Sequence, residues 1–86
     1  MPANNRPYEQ AVILAEGARQ VAVTQARLAY EANVNTEPAN WRTYDQAIKA
    51  AEKAYWQAVA SAADANGEPL AAADSRNRLD GLARRG

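Results

Sequence analysis

The 86-residue sequence predicts an all-α protein: a long antiparallel helical hairpin with a shorter C-terminal third helix, packing into a helical bundle by self-association. Three observations carry that expectation. Alanine, the best helix former, dominates the composition, and strand-favouring residues never alternate for long. Two stretches of similar punctuation, "EANVNTEPANW" and "DANGEPLAA", divide the chain into three periodic segments. Both joints are short, and short joints favour antiparallel neighbours. The expected helices cover about residues 7–34, 37–65 and 68–84 of a single domain.

The first helix should open near Pro7, whose missing N–H costs nothing in a first turn, with Asn4 or Asn5 as its cap and Glu9 opposing the dipole. It then runs to about Asn33 or Asn35, with Gly17 as its weak point. In the first joint an asparagine can end that helix, Thr36 can cap the next, and Glu37 and Pro38 suit its first turn. In the second joint Asn66 and Gly67 end helix two, and Glu68 and Pro69 open helix three. The echo between the joints reads as shared capping chemistry rather than a repeat, because the segments beyond them differ in length and pattern.

Helix two carries a heptad seam through Trp41, Tyr44, Ile48, Ala51 and Tyr55, continued by alanines, with Asp45 placed to support Lys49 on its polar side. Helix one offers Leu14, Ala18, Val21, Gln25 and Leu28 in the same rhythm, flanked by Ala15, Ala22 and Ala29. These two stripes are expected to face each other. On the third segment Ala72, Leu79, Leu82 and Ala83 share one side, and Gly81 weakens it.

The composition argues against several chemistries. The formal net charge is zero with 23% charged residues, so no whole-chain basic bias points to nucleic acid or to an anionic membrane. Cysteine is absent, which leaves no disulfide and no thiolate site. Histidine is absent too, and with it the commonest metal ligand and general base. The stretch from Asp64 has an oxygen-rich start like a calcium loop, but its glycine is misplaced and Ser75 stands where a bidentate glutamate belongs. Asp45 and Glu52 share a side of helix two, yet seven residues of helix separate them by about 10 Å, with Lys49 between, as on a solvated ion-pair face. No enzyme activity, cofactor, metal site or small-molecule substrate is expected. The polar, proline-broken N-terminus resembles no signal peptide, and no apolar run reaches membrane-spanning length. The expected location is the cytoplasm or the inside of an assembled particle.

A partner is expected because the hairpin leaves apolar residues over. Ile13, Val23 and Tyr30 lie off the seam of helix one, and Trp56 lies among polar residues of helix two. These four are the candidate contacts to a second copy or another protein, and stacking two hairpins into a four-helix bundle would cover them. In the alternative, a monomeric three-helix bundle, Ile13, Val23 and Tyr30 all face helix three and Trp56 stays an isolated surface aromatic. The functional expectation is a non-enzymatic assembly or adaptor subunit, such as a component of a phage or bacterial assembly. The rival is a small nucleic-acid-contacting regulator using Arg76, Arg78, Arg84 and Arg85. Against it, Asp74 answers Arg78, and Asp80 answers Arg76 and Arg84, at four-residue spacing. The general shape resembles the small secreted hairpins named after a Trp-x-Gly turn, but here Trp41, Arg42 and Thr43 carry no glycine and no tyrosine is followed by their export signal. A hairpin lying on membranes is disfavoured by the mixed charge of helix two.

Overall fold

A computed structural model of the chain describes residues 6–33 and 40–85. Three helices follow one another: α1 over Arg6–Asn33, α2 over Asn40–Ala65 and α3 over Pro69–Arg85. Helix α1 packs on α2 and α2 on α3, whereas the backbones of α1 and α3 do not meet. The middle helix therefore carries both neighbours. The result is an all-α helical bundle drawn out to 56 × 25 × 16 Å, shaped by the long first and second helices.

The elements begin and end for reasons already present in the sequence. Pro7 lies in the first turn of α1 and Glu9 supplies an acid there. The cap expected from Asn4 or Asn5, and the roles expected of Asn35, Thr36, Glu37 and Pro38, fall outside the described residues. Helix α2 is described from Asn40, and the expected start at residue 37 falls outside the described residues. At the second joint the match is close. Gly67 takes φ 71°, a left-handed conformation that suits glycine, and the Glu68 N–H returns 2.8 Å to the Ala63 carbonyl, as in a Schellman motif. The Glu68 carbonyl then accepts the Ala72 N–H at 3.0 Å and starts α3, with Pro69 as its first residue.

The core is thin and lies on α2. Ala51, Val59, Ala60 and Ala63 of α2 are buried, as are Ala72 and Ser75 of α3. Ser75 meets its polar requirement locally, its Oγ donating 2.8 Å to the Ala71 carbonyl. No residue of α1 is buried. Small side chains on both sides let α2 and α3 approach closely, but each contributes little apolar area.

The heptad expected to turn α1 toward α2 instead points away. Leu14 is 75% exposed, and Val21 and Leu28 are each 56% exposed. The inward side of α1 is made by Val12, Ala15, Arg19, Ala22, Ala26 and Tyr30, in steps of three and four. The physical reason is Arg19. Its guanidinium lies 3.9 Å from the centre of the Tyr55 ring and bonds Glu52 at 3.2 Å, so a charged residue sits in the middle of the packed side. Alanines 15, 22, 51, 54 and 58 surround that cluster, where their small side chains leave a gap of about 290 Å³.

Candidate functional site

Each of the four expected interface residues has a definite place. Tyr30 packs at a tilt against Tyr44 of α2 with ring centroids 5.2 Å apart, and its backbone carbonyl accepts the Asn40 side-chain N–H at 2.9 Å. Val23 is half-buried on the same side of α1. Trp56 is half-buried at α3, edge-on to Tyr55 at 4.7 Å and with the Arg78 guanidinium 4.6 Å from its ring centre. Ile13 is 67% exposed. The fold thus assigns Tyr30 and Trp56 intramolecular neighbours on different faces of α2 and leaves Ile13 in water.

The four arginines are also dispersed. Arg78 bonds Asp74 at 3.1 Å, the expected four-residue pair, while it covers Trp56. Arg76 reaches across the joint to Asp64 of α2. Arg84 is exposed in the last turn of α3, and Arg85 is the final residue of that helix. Two of the four are therefore held against carboxylates rather than presented together to a phosphate chain.

Other features suit structure more than chemistry. A shallow groove of about 450 Å³ between α2 and α3 is lined by Lys49, Lys53, Gln57, Leu79 and Leu82. Lys49 in it is tied to Asp45 at 3.1 Å, as the spacing predicted. Tyr8 sits near the second joint, where partial burial first, then the negative charge of Glu68 and Asp74, push its phenol above the ordinary tyrosine range. Among the described residues no group of three or more carboxylates could hold a metal ion, and no helix is long and apolar enough to cross a membrane.

Of the exposed large apolar side chains, Leu70 lies on α3 and Trp41, expected in the seam, on α2; the others lie on or beside the outward face of α1. From Leu14 through Gly17, Val21 and Thr24 to Leu28 that face advances in steps of three and four, every member exposed. Three large apolar side chains of that stripe, Leu14, Val21 and Leu28, are more than half exposed. The periodicity was legible in the sequence; its direction was not. Asn40 was missed altogether, although it is buried and its side-chain amide donates to the Tyr30 carbonyl near the end of α1.

No family model matches the chain, and no curated protein or solved structure matches it either.

Proposed function

We propose that this chain is a non-enzymatic assembly subunit whose working surface is the outward face of α1. One observation carries the reading: the most regular apolar heptad of the longest helix, Leu14–Val21–Leu28, is left in solvent while polar Arg19 faces inward. A helix apolar on its outer side and pinned by an ion pair on its inner side is completed by another helix packed against it. Ile13 borders the same face and extends it. The α3 arginines lend less support to a nucleic-acid role, because Arg76 and Arg78 already pair with Asp64 and Asp74. A component of a larger protein complex, such as a phage or bacterial assembly, fits this surface.

The test compares the wild-type chain with a Leu14→Gln/Leu28→Gln variant. Solution mass is followed by light scattering over a dilution series, and proteins retained by each immobilised form are compared. Self-association, or a retained protein, that the double substitution abolishes while helicity is unchanged supports the reading. A wild-type chain that stays monomeric and retains nothing the variant fails to retain rules it out.

A further inference from the structure

Gly17 has no explanation within its own chain. It lies in the interior of α1, away from either end, and it does not adopt the positive φ that would call for glycine. Among the described residues a Cβ built on it would meet nothing within 4 Å. Glycine weakens a helix interior relative to alanine, so a residue that neither turns the chain nor makes room for a neighbour in it is a cost without an intramolecular return. Yet Gly17 stands in the middle of the exposed apolar stripe, between Leu14 and Val21. A helix from outside the chain is what would use the space.

We infer that the outward face of α1 packs antiparallel against the same face of a second copy, about a two-fold axis level with residue 19, so that Gly17 of each chain receives Val21 of the other. This rests on the assembly reading above and names its partner. Three observations select the occupant and the orientation.

The first is size. Pairing positions whose numbers add to 38 sets Gly17 opposite Val21, Thr24 opposite Leu14 and Gln10 opposite Leu28, a large side chain against a smaller or unbranched one in every layer. Sliding the helices one heptad one way would place Leu14 opposite Glu31, and the other way would leave Leu28 opposite position 3, outside the described residues.

The second is charge. The stripe between its ends carries no ionised residue, so covering it desolvates no charge. In the antiparallel register the exposed Arg6 of one copy comes within one residue of Glu31 of the other, at both ends of the interface. A parallel pair would instead set Arg6 beside Arg6 and Glu31 beside Glu31.

The third is area. The chain exposes 6228 Å², whereas a folded monomer of 9.3 kDa exposes roughly 5000 Å². The excess is spread over an elongated chain, and Leu14, Val21 and Leu28, each more than half exposed, are part of it. Pairing α1 with α1 makes a continuous layer of six helices, with both α3 helices at the outer edges, and it gives α1 a second neighbour as α2 already has.

The chain contains no cysteine, so introduced thiols are unique. Full-length Gln10→Cys and Leu28→Cys chains are mixed in equal amounts and treated with a short thiol-specific cross-linker, beside each chain alone. In parallel, Gly17→Ala and wild type are followed through a dilution series by light scattering and circular dichroism. The mixture should cross-link far more than either chain alone, and Gly17→Ala should weaken self-association by at least ~10-fold, since added methyl groups would be forced into a close contact. Its helicity should hold or rise, which separates lost packing from lost folding.

Efficient cross-linking of Gln10→Cys to itself would overturn the antiparallel arrangement. Undiminished association of Gly17→Ala would overturn the contact at residue 17. A wild-type chain that is monomeric throughout would remove the second copy. In that case proteins retained by wild type but lost with Leu14→Gln/Leu28→Gln would keep the assembly reading alive, and the absence of any would end both.

Discussion

The two halves of this molecule solve the same packing problem differently. Where α2 meets α3, small buried side chains, Ala60, Ala63, Ala72 and Ser75, follow a tight glycine turn, and two exposed-side clamps, Arg76 on Asp64 and Arg78 over Trp56, lie beside them. Where α1 meets α2, the contact is made of polar and aromatic clamps: Arg19 between Glu52 and the Tyr55 ring, Tyr30 on Tyr44, and Asn40 on the Tyr30 carbonyl. The first contact has buried residues on both helices, while the second leaves α1 without a buried residue. A helix attached in that way is held in place without being finished, and its best apolar surface is free for another use.

The sharpest way to break this comparison is to overfill the first contact and polarise the free face. Ala63 is 0% exposed, so Ala63→Leu has no space for its added carbons and should lower the urea-unfolding free energy by about 2–3 kcal/mol, a large share for a chain of this size. Leu14→Gln, measured at concentrations where the chain is monomeric, should change it by less than about 0.5 kcal/mol. Similar losses from the two would mean that the outer face of α1 belongs to the chain's own core.

A smaller effect is expected at the clamp between the first two helices. Asn40→Ala removes the donor that serves the Tyr30 carbonyl in the last turn of α1, and it should cost about 1–2 kcal/mol. Hydrogen exchange locates the damage: amides near the C-terminal end of α1 should lose protection before those of α3 do. If protection falls evenly along the chain, the clamp is part of one cooperative core and the contrast between the halves disappears.

Much of this architecture was legible, and what was hidden has a physical reason in each case. Helix number and order followed from capping chemistry, and the second joint behaves as its residues suggest because Gly67, Glu68 and Pro69 each have a narrow set of suitable positions. The pair Asp74–Arg78 formed as its spacing predicted, whereas Arg76 found Asp64 across the joint, a tertiary contact that helical spacing cannot anticipate. The inward face of α1 was misjudged because periodicity ranks side chains by hydrophobicity. Arg19 counts there as solvent-seeking, although Glu52 and Tyr55 satisfy it at the packed side. Trp56, which stood out among polar neighbours, lies at α3 under Arg78, a contact that required knowing how the third helix returns along the second.

The finest probe of the contrast is titration where all three helices come near one another. Tyr8 projects from the first turn of α1 toward the second joint, and its phenol is raised chiefly by partial burial, with Glu68, Tyr55 and Asp74 adding to the shift. A raised acid pKa means that the folded chain holds this proton more tightly than the unfolded one. The associated stability is therefore fully present below the ordinary tyrosine value of about 10 and is lost as pH rises from there through the folded value. Wild type should thus lose more thermal stability between about pH 9 and pH 11 than Tyr8→Phe, which keeps the ring and lacks the ionisable hydroxyl. The two proteins differ only at position 8, so the difference between the two curves reports Tyr8. Coincident curves would place Tyr8 in open water and confine the attachment of α1 to the clamps on α2; a difference that shrinks in high salt would identify the carboxylates of the joint as a measurable part of it.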